Sequence, residues 1–81
     1  MENHPRIAIN KEICHGKPCI KGTRIPVYLI LEMIEYGLSF EQVLEEYPHI
    51  TKEDIQACLK FAKAIINNEE ISTLVEIGIS S

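Results

Sequence analysis

The stretch "SFEQVLEEYPHITKED", residues 39–54, contains two helix starts in succession. Ser39 is followed three positions later by Gln42, and Thr51 is followed three positions later by Asp54. Each pair has the spacing of a capping box, in which two side chains satisfy backbone N–H groups at the start of a helix. A proline between the two starts cannot continue the first helix, because it has no backbone N–H. We therefore predict a short helix, a turn and a second, longer helix.

The longer helix, to about residue 67, has two different faces. One face is apolar and carries Ile55, Leu59, Ala62 and Ile66, widened by Cys58 and Ile65. The other face carries Lys52, Gln56, Lys60 and Lys63 and has no carboxylate in the stripe. In a helix-turn-helix the second helix enters the major groove, where glutamine pairs with adenine and lysine with guanine or phosphate. The polar face is therefore a candidate DNA-reading surface.

A further helix is predicted before these two, in "PVYLILEMIEYG", residues 26–37. Pro26 suits the first turn of a helix, Gly37 suits the position after its end, and Thr23 is expected to cap it. The segment is apolar nearly all round, with Glu32 and Glu35 as its charged residues. It is either the central core helix or part of an oligomer interface.

The opening segment, residues 1–25, is predicted to form a short β-arm. "RIAI" and "CIKGT" have the β-branched content of short strands, and they flank the turn-like "HGKP". The fold class expected is mainly α: a homeodomain-like three-helix helix-turn-helix, residues 1–67, with an N-terminal β-arm. Residues 68–81 form a C-terminal tail for partner binding or oligomerisation, because the helical core should already be closed. Its candidate contact residues are Ile71, Leu74, Val75, Ile77 and Ile79.

The charges are divided along the chain. Residues 1–26 carry five basic and two acidic residues, a net charge of +3, whereas the remainder carries three lysines and ten acids, a net charge of −7. Lys17, Lys21 and Arg24 in the basic arm are candidates for phosphate contacts. The acidic first turn of the longer helix, Glu53 and Asp54, would repel phosphates. DNA binding and a plain helical bundle with solubilising lysines are therefore equally open on physical grounds.

Other chemistries find weaker support. Cys14, His15 and Cys19, with His4, His49 or Cys58 as a fourth ligand, form one loose cysteine pair, whereas structural zinc sites usually have two. Two inward-packed thiols beside a turn explain the same residues better. No catalytic constellation meets a geometric requirement, so we expect no enzyme, metal or cofactor. The N-terminus lacks a signal-peptide layout and no apolar run is long enough to span a membrane, so a cytoplasmic protein is expected.

The combination of "GKPCIKGTRIPV", "GLSFEQVLEEYP" and "TKEDIQACL" resembles the prokaryotic family known as domain of unknown function 433, across residues 4–62. The resemblance implies a homeodomain-like helix-turn-helix fold and an antitoxin role beside a PIN-like ribonuclease toxin. It brings no catalytic set. We therefore expect a homodimeric antitoxin and autorepressor that binds double-stranded operator DNA and the toxin. The alternative is a protein-interaction adaptor that does not bind DNA.

The framework shared with that family runs from Gly16 to Ile25. Within it Arg24 is expected either to tether the arm through a buried hydrogen-bond network or to contact phosphate.

Overall fold

The computed structural model describes residues 5–70 and 74–78. In chain order its elements are β1 (Ile7–Asn10), β2 (Cys19–Ile20), α1 (Val27–Glu35), α2 (Phe40–Glu46), α3 (Lys52–Ile66) and β3 (Val75–Gly78), and a tight turn at Cys14–Gly16 lies between β1 and β2. Within the described ranges no helix has the length and apolar character that crossing a bilayer requires.

Both predicted capping boxes are confirmed. The Ser39 hydroxyl accepts a hydrogen bond from the backbone N–H of Gln42 at 3.1 Å, and the Gln42 side chain accepts one from the N–H of Ser39 at 2.8 Å. The same reciprocal pair joins Thr51 and Asp54, with distances of 3.2 and 2.9 Å. These contacts satisfy N–H groups that the first turn of a helix leaves without intrahelical partners. They fix where α2 and α3 begin.

The start of α1 differs from the prediction. Pro26 is the N-cap residue, and no side chain accepts a hydrogen bond there. The Thr23 hydroxyl instead donates to the backbone oxygen of Ile20 at 2.7 Å and accepts from the N–H of Ile25 at 3.0 Å. The prediction that Thr23 caps α1 is wrong, because its hydroxyl closes the turn before the helix. Gly37 follows the helix with φ +94°, as predicted for a residue in the left-handed region.

The three strands form one mixed sheet in the order β2-β1-β3. The predicted arm is present as the antiparallel pair of β1 and β2, and β3 runs parallel to β1 on its other side. Ile7 is paired with both Ile20 and Val75, and these three side chains are at most 5% exposed. One residue from each strand therefore enters the core on the same sheet face.

The mainly α, homeodomain-like fold class is wrong, because the sheet is a structural layer and not an appended arm. A homeodomain-like bundle closes its core with helices, whereas here Ile7, Ile20 and Val75 belong to the same buried cluster as residues of all three helices. The protein is an α/β fold of three helices and a three-stranded mixed sheet over its described residues. The assumption that the helices alone close the core caused the error.

Gly78 explains how β3 approaches β1 so closely. A Cβ atom at Gly78 would lie 2.6 Å from Nδ2 of Asn10, its partner in the strand register. The Asn10 side chain is held in place, since its Oδ1 accepts a hydrogen bond from the N–H of Glu12 at 2.9 Å. Any residue with a Cβ at this end of β3 would therefore force the Asn10 side chain to shift.

The buried face of α3 is rotated relative to the predicted one. Ile55 and Cys58 are fully buried as predicted, whereas Leu59, Ile65 and Ile66 are 37%, 52% and 85% exposed. Phe61 and Ala64 complete the buried face instead. The apolar surface of α3 is consequently wider than the core can cover.

Candidate nucleic-acid interface

The four predicted DNA-contacting residues of α3 lie together on one face. Lys52, Gln56, Lys60 and Lys63 are all exposed. At about 100° per residue they fall within an arc of about 80°, and the buried residues fall on the opposite side of the helix. The capping box fixes the start of α3, and the buried residues of the same helix anchor it to the core. The position of the exposed face is therefore fixed as well. The arrangement presents three cations and one amide in a row along the helix axis.

The acidic first turn of α3 is partly neutralised by the arm. Asp54 is 13% exposed, and its Oδ1 accepts a hydrogen bond from Nη1 of Arg6 at 3.1 Å. Its Oδ2 accepts the capping bond from the Thr51 N–H. Both carboxylate oxygens are therefore occupied, and the guanidinium offsets the negative charge. Glu53 is the exposed acid of that turn. Sequence reasoning missed the Arg6 contact because its partners are 48 positions apart.

The three candidate cations of the arm have different surroundings. The ammonium of Lys17 lies 5.3 Å from the centre of the Tyr28 ring, a cation–π contact. Lys21 forms an ion pair with Glu76 of β3, both side chains being about half exposed. Arg24 is exposed, which excludes the buried hydrogen-bond network expected as one alternative. Its contact with phosphate stays a prediction, and Lys21 is already partly neutralised.

The two thiols of the arm differ in burial, since Cys19 packs into the core and Cys14 is half-buried. Cys19 is 2% exposed, and burial together with the neighbouring Cys14 thiol raises its pKa to about 11, although Arg24 partly opposes the rise. Cys14 and His15 both have positive φ, 55° and 56°, in the tight turn between β1 and β2. Cys58 in α3 is fully buried, and desolvation raises its pKa to about 12. Neither buried thiol is in a state to act as a nucleophile near neutral pH.

Metal ligands do not come together in the described ranges. No group of three or more histidine, cysteine, aspartate or glutamate side chains there could hold an ion. His4, one candidate for the fourth ligand, lies outside the described residues. Within the described residues, Cys14 and His15 lie in the tight turn, and Cys19 and Cys58 are buried in the core.

The tail residues are divided between the core and the surface. Val75 is 5% exposed and Leu74 is partly buried against the core, whereas Ile77 is 64% exposed. Ile71 and Ile79 lie outside the described residues. Of the three candidate partner-binding residues that the structure describes, Ile77 is thus the exposed one. Val75 completes the row of buried residues across the sheet. An apolar residue in a short segment fits core packing and partner binding equally well, so the sequence pattern did not distinguish the two.

A groove between α1 and the C-terminal half of α3 was missed by the sequence analysis. It measures about 470 Å³, and its lining includes Lys17, Tyr28, Leu31, Ile65 and Ile66. The signal in the sequence was that α1 is apolar nearly all round. Only one face of a helix can pack against the core, so apolar side chains on the other faces must line a different surface. Because Lys17 and residues of α3 line the same groove, Lys17 lies near α3.

Comparison with known proteins agrees with the resemblance stated above. Residues 7–62 match a family described as "Protein of unknown function (DUF433)". The uncharacterized protein y4eO of Sinorhizobium fredii (strain NBRC 101917 / NGR234) is 33% identical over 58 residues, which are 72% of this chain and 26% of that protein.

A DUF433 member from Anabaena variabilis ATCC 29413, whose crystal structure was determined at 2.00 Å resolution, has a similar fold with a TM-score of 0.74 and 28% sequence identity. The match covers 80% of this chain and 64% of that one. The chain thus spans about a quarter of the length of y4eO and less than two thirds of the crystallised protein. Because the family match covers most of its length, the chain belongs to the DUF433 family.

Proposed function

We propose that this protein is a DNA-binding antitoxin and autorepressor of a toxin–antitoxin pair, in which α2 and α3 act as a helix-turn-helix. The observation that carries the DNA-binding part is the exposed row of Lys52, Gln56, Lys60 and Lys63 on α3. A helix of this length, 15 residues, spans about 22 Å, enough to follow the major groove over several base pairs. The action is binding only, by a cytoplasmic homodimer that needs no cofactor.

The expected contacts divide by chemistry. Gln56 lies in the middle of the row and is suited to pair with adenine, whereas the lysines on either side of it contact phosphates or guanine. Arg24 supplies a further phosphate contact from the arm. The negative net charge of −4 opposes approach to DNA at long range. The Arg6–Asp54 pair supports the proposal, because the guanidinium offsets one of the two acidic charges in the first turn of α3.

The DNA part is tested by fluorescence anisotropy with a duplex from the promoter of the gene itself. The combined substitution of Gln56→Ala and Lys60→Ala should weaken binding at least tenfold, since each good base contact contributes about 1–3 kcal/mol. Lys11→Ala is the matched control: it removes an exposed lysine outside α3 and should leave the affinity within about twofold. Equal losses in the two proteins, or no binding by the wild type, would contradict the DNA-binding part.

The proposed toxin is a PIN-like ribonuclease, bound through the tail. Ile77 supports this part, since it is an exposed apolar side chain next to the acidic Glu76. Deletion of residues 69–81 is a poor test, because it would also remove Val75 from the core. The sharper change is Ile77→Asp, with the tagged full chain purified from its native host. A nuclease that copurifies with the wild type and is lost with Ile77→Asp supports the proposal, and a nuclease retained equally by both contradicts the tail as its site.

The alternative is a protein-interaction adaptor without DNA contact. The acidic net charge and the apolar groove beside α3 favour it. Retention on heparin or DNA against salt separates the two proposals: counterion release predicts a steep loss of a DNA-binding protein with rising salt, and an adaptor is not retained.

A further inference from the structure

The groove between α1 and α3 is apolar and open to solvent. Tyr28 and Leu31 line it from α1, and Phe61, Ile65 and Ile66 line it from α3. Tyr28, Ile65 and Ile66 are 57%, 52% and 85% exposed, so large apolar side chains stand beside the cavity that they line. A contiguous apolar patch of this kind is typical of a surface that another protein covers.

Charges of opposite sign lie along the α1 side of the groove, one in its lining and one beyond it. Lys17 lines the groove, with its ammonium over the Tyr28 ring. Glu35, which is exposed, follows Tyr28 by seven residues on α1. That spacing is two helical turns, so Glu35 lies on the same side of α1 as Tyr28, about 10 Å further along the axis. The surface therefore runs from a cation through an apolar centre to a carboxylate.

This arrangement is self-complementary. In a two-fold dimer each residue that contacts a second residue is contacted by it in turn. When two such surfaces meet with their α1 helices antiparallel, the cationic end of each faces the carboxylate end of the other. An acidic or a basic peptide would complement one end of this surface and be repelled at the other.

We propose that a second copy of this chain docks on the α1–α3 groove, with Ile65 and Ile66 of each copy packed against the other and Lys17 of each copy facing Glu35 of the second copy. This inference rests on the homodimer of the proposed function, and it identifies the surface through which the two copies bind. On α3 the groove residues and the row of Lys52, Gln56, Lys60 and Lys63 occupy neighbouring but separate sectors, so the dimer leaves that row exposed. Lys17 serves dimerisation in this account and not phosphate binding.

The first test is the mass of the full chain in solution without DNA, measured by light scattering after size exclusion and by sedimentation over a range of concentrations. The wild type is expected at twice the chain mass of 9.2 kDa. Ile66→Glu should give monomers, because it places a carboxylate in the apolar centre of both halves of the interface. Ile77→Glu is the matched control, an exposed isoleucine of β3 that should leave the dimer intact. Circular dichroism shows whether each variant is folded.

A charge exchange tests the pairing itself. Lys17→Glu and Glu35→Lys should each weaken dimerisation at least tenfold, since each change occurs twice in a two-fold interface. The double variant restores both pairs with reversed sign and should return to within about threefold of the wild type. Glu45→Lys on α2 is the control for an exposed charge reversal elsewhere and should have no effect.

Three results would overturn the inference: a wild-type chain that stays monomeric at all concentrations, equal behaviour of Ile66→Glu and Ile77→Glu, or a double variant no tighter than its parents. A monomeric wild type would leave the groove to a different partner. Because the assay contains no DNA, a failure of the dimer surface is distinguishable from a failure of DNA binding by α3.

Discussion

The two faces of α3 have different surroundings: one is buried in the core and the other is exposed to solvent. Ile55, Cys58 and Ala64 on one face are fully buried and hold the helix against the sheet and the other two helices. Gln56 and Lys60 on the other face are exposed. Residues adjacent in sequence, such as Ile55 and Gln56, thus lie in different surroundings, one in the core and the other in solvent. Substitutions on the buried face should therefore act on stability, and under the proposed function those on the exposed face should act on DNA binding.

The largest expected effect is on the buried face. Ile55→Ala should lower the free energy of unfolding by about 2–5 kcal/mol, because it leaves a cavity in a packed core. Gln56→Ala, one position further, should change it by no more than about 0.5 kcal/mol. Urea denaturation followed by circular dichroism, at one fixed protein concentration, measures both. Similar values for the two variants would contradict the expectation that the buried face, and not the exposed face, determines stability.

Alkaline pH should weaken the core, in which Cys58 of α3 and Cys19 of β2 are buried. The pKa of Cys58 is about 12 and that of Cys19 about 11, against 9.0 ordinarily. Below pH 9 both the folded and the unfolded chain keep these protons; above it the unfolded chain releases them while the folded chain still holds them. Stability should therefore fall with rising pH above 9, by roughly 1 kcal/mol per pH unit for each thiol.

The control for the alkaline effect is Cys58→Ala. It should be less stable than the wild type at pH 7, because of the cavity, but should lose stability less steeply between pH 9 and 11. Unfolding curves at several pH values give both slopes. Parallel slopes in the two proteins would show that Cys58 is not the titrating group.

A smaller effect is expected at the start of α3, which positions both faces. Thr51→Ala removes the hydroxyl that accepts from the Asp54 N–H, and it should cost about 1 kcal/mol of stability. Ser39→Ala should cost a similar amount at α2, where the same capping box is present. Thermal unfolding of the two variants checks this. A neutral Thr51→Ala would mean that α3 is positioned by packing alone.

The smallest expected effect on stability is that of the Arg6–Asp54 pair. Arg6 is 48% exposed, so Arg6→Ala should lower stability by at most about 1 kcal/mol. It should still weaken DNA binding, because the negative charge of Asp54 in the first turn of α3 is then no longer offset. Arg6→Lys keeps the charge and should bind DNA nearly as well as the wild type. Equal DNA affinity in all three proteins would remove this pair from the interface.

The helix starts could be predicted from sequence because their causes are local. Ser39 and Gln42, or Thr51 and Asp54, lie three positions apart, and the hydrogen bonds that define the helix start join those same residues. The placement of Lys52, Gln56 and Lys60 on one face likewise follows from the helical period once the helix is known. The family membership was also evident from the motifs between residues 4 and 62.

The third strand could not be predicted in this way. Val75 pairs with Ile7 across most of the chain, and no local period reports such a contact. A short apolar segment fits a strand and a partner-binding tail equally well, and the second interpretation produced the wrong fold class. Ile65 and Ile66 show a related limit, because the helical period gives the direction of a side chain but not whether a neighbouring element lies in that direction.

The assignment of the exposed face of α3 to DNA is tested by the salt dependence of DNA binding. The wild type is compared with a variant in which Lys52, Lys60 and Lys63 are all alanine. If the exposed face of α3 contacts the phosphate backbone, the wild-type affinity should fall steeply between about 50 and 200 mM salt. The slope of log affinity against log salt should decrease by about one for each lysine that contacts a phosphate. A wild type that does not bind at about 50 mM salt, or a triple variant with an unchanged slope, would contradict the assignment of this face to DNA.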